Sequence, residues 1–217
     1  MSPQLLRQTK GETTRALILE AAVQQASEGG FESITIGTLA ERTKLSKSGL
    51  FAHFGSRQEL QIAAMDEAGR RFTEAVFLPA LKAPRGLRRL RALFEGWVRW
   101  PEMAQLSGSC PLYAAAAEYD DKPGSMRDAV VERQTLLARE LAKSVRMAIE
   151  TGELDAQADP EQIAFEMIGI VLAMYQSQRL MGDGKAASRA AAAFNRLVDS
   201  ALAAKSEAST SPAAPGR

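Results

Sequence analysis

The chain has 217 residues, enough for one or two small domains that bury a substantial core. Its formal net charge of +1 marks no polyanionic partner, and its single cysteine, Cys110, excludes an intramolecular disulfide framework. No run approaches the roughly 20 apolar residues of a membrane span, and residues 1–14 hold no apolar signal core, so a cytoplasmic protein without membrane association is expected.

Alanine, leucine, glutamate and arginine dominate, and no stretch alternates with period two, so an all-α fold is expected. Residues 1–12 read as a flexible arm with Arg7 and Lys10. A first helix is expected from about Thr14 to Glu28, with Ile18, Ala21, Ala22 and Val23 as its apolar stripe and Gly29-Gly30 as its stop. Thr35 can cap a second helix, roughly Ile36 to Thr43, and Ser46 can cap a third. Ser56-Arg57-Gln58-Glu59 fits a capping box and opens a fourth helix reaching about Phe77, broken by Pro79 and Pro84. A fifth helix is expected from about Arg85 to Trp100, ended by Pro101. A short sixth follows from Pro111 to Tyr119. Asp120-Asp121-Lys122-Pro123-Gly124 is a turn, and Ser125 to about Thr151 is one long helix closed by Gly152. Asp159-Pro160-Glu161-Gln162 supplies a cap and a proline at the first helical position for a helix running to about Met181. The last helix covers about Lys185 to Ala204, and the Ser/Ala/Pro-rich tail, 206–217, is expected to be disordered. The domains read as 13–60 and 61–205, between the arm and the tail.

The second and third helices with their short connection make a helix-turn-helix. In that motif the second helix enters the DNA major groove, and its early residues reach base edges. Lys47 and Ser48 sit there. Lysine donates to guanine acceptors, and serine donates or accepts. Phe51, Ala52 and His53 face or flank the groove. Thr38 and the start of the fourth helix, with Ser56 and Arg57, are placed to meet phosphates. Between Glu41 and Arg57 the basic residues Arg42, Lys44, Lys47 and Arg57 outnumber the single acid, Glu41. Leu39, Leu45, Leu50 and Phe54 read as core. Such spacing also occurs in helical proteins that bind no DNA, so the alternative is a ligand-binding or protein-interaction module without DNA binding. No enzyme is expected: His53 is the one histidine, and no metal-ligand cluster, phosphate loop or nucleophile–base pair is visible. Catalytic residues, a metal and a cofactor are therefore not expected.

The stretch Thr14 to Leu60 resembles the N-terminal domain of the tetracycline-repressor (TetR) family of bacterial transcriptional regulators. The resemblance lies in Thr14-Arg15, Ile18-Leu19-Glu20-Ala21-Ala22, Gly30-Phe31-Glu32-Ser33-Ile34-Thr35-Ile36 and Leu39-Ala40. It continues in Ser46-Lys47-Ser48-Gly49-Leu50-Phe51, His53-Phe54 and Ser56-Arg57-Gln58-Glu59-Leu60. It implies base contacts from Lys47, Ser48 and Ala52, and phosphate contacts from Thr38, Phe51, His53 and Arg57. It also implies a helical C-terminal domain that binds a ligand and dimerises. The segment Cys110-Pro111-Leu112-Tyr113-Ala114-Ala115-Ala116 resembles one C-terminal subgroup. The chain departs from the family at three places. Phe51 stands for the usual tyrosine. Lys44 stands where glycine makes the turn, so either it takes a left-handed backbone or the turn differs. Gln25-Ala26 replaces a bulkier apolar pair.

The last two helices carry apolar stripes: Ile163, Met167, Ile170, Val171 and Met174 on one, and Ala190, Phe194, Leu197, Val198 and Ala201 on the other. These either bury inside one chain or form a four-helix interface between two, and the family resemblance favours the homodimer. A ligand cavity is expected among the fourth to eighth helices. Phe94, Trp97, Trp100, Met103, Cys110, Tyr113, Met167, Met174 and Tyr175 are its candidate lining, a set suited to an apolar small molecule, although the same residues also suit an ordinary core. Arg85, Arg88, Arg89 and Arg91 read as an anion site or a solvated face, and Cys110 as a buried bystander. The expected function is a ligand-responsive regulator, mostly a repressor in this family, that binds a palindromic operator as a homodimer and leaves it when an apolar small-molecule effector binds.

Overall fold

A computed structural model describes residues 9–202. The expected arm at 1–8 and the tail at 206–217 lie outside the described residues. Among those described the fold is all-α, with one isolated bridge between Leu154 and Leu202.

Helix α1 (Lys10–Gly29) starts four residues earlier than expected. Thr9 and Glu12 form a full capping box: Glu12 N–H donates to Thr9 Oγ1 (3.2 Å) and Thr9 N–H to the Glu12 carboxylate (2.7 Å). Residues 10–12 therefore belong to the helix and not to an arm. Gly30, at φ 80°, ends α1, and a 3-10 turn, Phe31–Ser33, leads to α2 (Ile36–Thr43) and α3 (Lys47–Phe54). Helix α4 (Arg57–Phe72) runs on through a π turn, Thr73–Phe77, into α5 (Leu78–Ala80). Pro79 thus does not break the chain where expected. The wider π turn directly precedes it and re-registers the backbone ahead of a ring that would otherwise strike the carbonyl four residues back.

The C-terminal domain holds α6 (Leu87–Met103), α7 (Pro111–Glu118), α8 (Ser125–Glu150), α9 (Pro160–Leu180) and α10 (Ala186–Ser200). Pro101 was expected to end α6, yet the helix passes through it. A proline leaves the carbonyl four residues earlier, that of Trp97, without its N–H partner. The buried Tyr175 hydroxyl donates to that carbonyl at 3.0 Å. The core is built on rings: Phe94 stacks on Phe194 with centroids 4.0 Å apart, and Phe72 meets Trp97 and Trp100 edge-on at 6.0 and 5.4 Å. The arginines at the start of α6 and just before it are dispersed and do not form an anion site. Arg85 pairs with Glu150, Arg89 donates to the Ala83 carbonyl and Arg91 to Asn195, while Arg88 is exposed.

A second core joins α1, α2, α3 and α4, and reaches into α7 and α8 through Ala115, Tyr119, Met126 and Val130. Three polar seams reinforce it. The orphan carbonyls ending α1 are capped from the other domain: Ser109 N–H and Arg179 each donate to Ser27 O at 2.9 Å, and Arg179 also reaches Glu28 O. Gly108 allows this approach, since a Cβ there would collide with the Ser27 backbone. On α7, the Glu118 carboxylate accepts Phe31 N–H (2.8 Å) and Glu32 N–H (2.7 Å). On α4, Arg71 bridges Glu67 and, on α1, Glu20, each at 2.7 Å.

Candidate nucleic-acid interface

The turn between α2 and α3 resolves the question posed by Lys44. It adopts the left-handed conformation, φ 60° and ψ 24°, at a cost of roughly 1–2 kcal/mol. Ser46 then caps α3, its hydroxyl accepting Gly49 N–H at 3.1 Å. One face of α3 buries Leu50 and Phe54. The opposite face presents Lys47, Ser48, Phe51 and Ala52, all exposed and spaced one turn apart. Phe51 is 48% exposed, an apolar ring left uncovered beside two polar residues. His53 is half-buried at the edge of this face, its ring tilted against Phe54.

Of the four basic residues, two are engaged. Arg42 pairs with Glu28. Arg57 folds back onto the loop before α2: Nε donates to Ile34 O (2.9 Å), and a terminal nitrogen meets Glu32 O (2.6 Å) and the Glu32 carboxylate (2.8 Å). In this structure Arg57 is a staple holding α4 to the start of the helix-turn-helix, with its side chain 45% exposed. Lys44 and Lys47 pair with no acid among the described residues.

Thr38 is likewise committed within the chain. Its hydroxyl closes a capping box with Thr35 and accepts the Gln25 amide at 2.8 Å. The first backbone N–H groups of α2, at Ile36 and Gly37, have no acceptor in the helix. Gln25 is the unexpected piece. Buried where a larger apolar residue was anticipated, it donates to Ser33 O (2.6 Å) and Thr38 Oγ1, fixing the α2 cap from α1. The Ser56 hydroxyl accepts Glu59 N–H at 3.1 Å, which is one half of the expected box at α4.

The residues expected to line a ligand cavity are placed differently. Phe94, Trp97, Trp100, Cys110, Met167, Met174 and Tyr175 are buried and fill the C-terminal core, because their rings and thioethers pack on one another. Tyr113 is half-buried, 5.6 Å from Tyr175, and Met103 is exposed at the end of α6. Burial pushes the Cys110 thiol up, away from the thiolate that redox reactivity needs. A cavity of about 310 Å³ lies elsewhere, between α4 with its π turn and α8, walled by Phe72, Phe77, Leu112 and Leu137. Its lining has no sequence signature beyond ordinary helical periodicity.

The expected dimer residues also divide. Ile163, Met167, Val171, Phe194 and Val198 are sealed inside the single chain, so for them the intramolecular alternative holds. Ile170, Met174, Ala190 and Leu197 border an open groove of about 870 Å³ between α9 and α10, and Ala201 is half-buried at the end of α10. The outward face of α9 is instead Phe165 (70% exposed), Leu172 and Leu180 (77% exposed), which the stripe reading missed, with the small residues Gly169 and Ala173 among them.

Comparison with known proteins agrees with this geometry. Residues 18–64 match the family model for bacterial regulatory proteins of the tetR family, and residues 86–194 match the tetracyclin repressor-like C-terminal domain. An HTH-type transcriptional repressor of Mycobacterium tuberculosis is 31% identical over 130 residues, which cover 54% of this chain and 66% of that protein. The match thus spans just under two thirds of that relative's length. A TetR-family regulator from Cytophaga hutchinsonii superposes with a TM-score of 0.80 at 20% identity, covering 92% of this chain and all of the other. One from Chloroflexus aurantiacus gives 0.77 at 24% identity, over 88% and 94%. The structure of AibR with isovaleryl coenzyme A and operator DNA gives 0.63 at 21% identity, over 87% and 97%. The two domain matches lie in family order and together take in the helix-turn-helix and most of the helical C-terminal domain, so the chain belongs to the TetR family of DNA-binding transcriptional regulators.

Proposed function

We propose that the protein is a ligand-responsive repressor that binds a palindromic operator as a homodimer and is released by a largely apolar small-molecule effector. The observation that carries the reading is the uncovered face of α3, where Lys47, Ser48, Phe51 and Ala52 are all exposed. Lys47 and Ser48 suit base edges, while Phe51 and Ala52 suit the thymine methyl group. The N–H groups at the start of α2, with Lys44 and His53, suit phosphates. The repressor name of the mycobacterial relative and the ligand- and operator-bound AibR structure support the same reading.

One short helix makes too few contacts for selective binding. Two copies about one DNA turn apart (~34–36 Å) read a palindrome. The exposed α9 face, Phe165, Gly169, Leu172 and Ala173, with the groove toward α10, supports pairing of two chains there. Control then follows from the seams. The Glu118 contact to the Phe31–Ser33 turn and the Ser109 and Arg179 caps on α1 give the C-terminal helices a grip on the DNA-binding domain. An effector that favours one arrangement of those helices alters the spacing of the two recognition helices.

The test is to pass genomic fragments of the source organism over the full chain and sequence those retained. Enrichment of a two-fold-symmetric site with half-sites about one turn apart is expected. A chain that retains no fragment above background at low salt is the module without DNA binding.

A further inference from the structure

The cavity between α4 and α8 holds a basic group among apolar walls. At ~30 Å³ per water-sized group, its 310 Å³ admits about ten non-hydrogen atoms. Leu78, Leu81 and Leu136 at its mouth are each more than half exposed, so a chain-like apolar ligand gains by covering them. Arg133 projects from α8 across α4 at Gly69, where any Cβ would meet the guanidinium. Among the described residues its one hydrogen-bonded partner is the Asp66 carboxylate. The Asp66 side chain is 60% exposed, and an ion pair in such a setting contributes little. Arg133 is therefore held over the cavity by a weak, wet partner that a drier carboxylate can replace. The other ionic residue on the wall, Glu140, is about two helical turns away and pairs with Lys143 at 3.5 Å.

We propose that this cavity binds a free small-molecule carboxylate with an apolar chain of about eight carbons, whose carboxylate takes Arg133 from Asp66. The chain lies along Phe72, Phe77 and the three leucines. The guanidinium fork meets both carboxylate oxygens, which a single long-chain alcohol cannot match. The regulatory consequence rests on the repressor reading above. Asp66 and Gly69 sit on α4, the helix that follows α3 directly, and the Arg133–Asp66 pair is one of its ties to α8. Ligand entry exchanges that tie for a contact to ligand, and α4 is freed to shift with the recognition helix.

Tryptophan emission of the full-length chain reports the site, because Trp97 and Trp100 both lie edge-on to Phe72 in its wall. Titration with octanoate, octan-1-ol and octylammonium, without DNA, is the experiment. A saturable change is expected with octanoate, and binding at least tenfold weaker with the other two. Arg133→Gln is expected to weaken octanoate at least tenfold and leave octan-1-ol unchanged; Asp66→Asn is expected to tighten octanoate several-fold. Equal binding of all three probes, or wild-type affinity for octanoate in Arg133→Gln, would overturn the proposal. If Arg133→Gln fails to fold by circular dichroism, the probe series and Asp66→Asn still decide. A chain that binds octanoate but retains no DNA removes the repressor reading and keeps this site. One that retains DNA but ignores octanoate removes this site alone.

Discussion

Lys44 and Lys47 flank the same turn but carry different parts of the account. Lys47 opens the exposed face of α3, so Lys47→Ala is expected to weaken operator binding by about 1–3 kcal/mol, the scale of one good base contact. Unrelated DNA should be affected far less. Equal losses in binding titrations on the two DNAs would contradict base reading. Lys44 holds a left-handed backbone. Lys44→Gly relieves roughly 1–2 kcal/mol of strain and gives back about 0.5–1 in backbone entropy, a net gain of about 0–1.5 kcal/mol. Urea unfolding checks this, and a loss of stability would show that the lysine side chain itself stabilises the turn. Much at this scale was legible in the sequence. Leu39, Leu50 and Phe54 are buried as their spacing required, and the Lys47–Ala52 face is exposed. The fate of Arg57 was not legible, because a long guanidinium reaches either solvent or a neighbouring carbonyl and only tertiary placement decides. The capping box at Thr9-x-x-Glu12 was legible but overlooked beside the polar arm.

Element boundaries failed mainly at prolines. Pro79 follows a π turn, and Pro101 leaves a carbonyl that Tyr175 satisfies from another helix. The Tyr175 compensation is not local, so no window of sequence around Pro101 contains it. The contact between α1 and α4 has a pH signature of its own. The Arg71 guanidinium holds Glu20 below the usual carboxylate range, and Arg70 with Arg71 does the same for Glu67. A carboxylate lowered on folding stabilises the fold above its unfolded pKa, near 4.3, and that contribution is lost as pH falls through the lower folded value. The melting-temperature gap between wild type and Arg71→Gln is therefore expected to be full at pH 6 and to shrink below about pH 4.3. Both groups are partly exposed, so the effect is modest. A gap that stays constant or widens on acidification would assign the role of Arg71 to packing.

The all-helical plan was readable from helix periodicity and caps, because each is written within a few residues. The cavity and the outward face of α9 were not. An apolar stripe shows only that a helix buries something, and on α9 the stripe at Ile163, Met167 and Val171 buries against its own chain. The neighbouring Phe165–Leu172 face is exposed and is where we propose that a second copy packs. Leu172→Glu is expected to convert a dimer into a helical monomer in sedimentation, since an unpaired buried charge costs several kcal/mol. A dimer of undiminished affinity would move the interface off this face. The whole assembly bears on one claim, that α3 of each copy lies in a DNA groove. Binding of the full chain to a retained fragment, measured across a range of salt concentrations, tests it most directly. A steep log–log decline is expected, shallower for Lys44→Ala, which removes a cation proposed to face the phosphates. No binding, or a slope near zero, would contradict it.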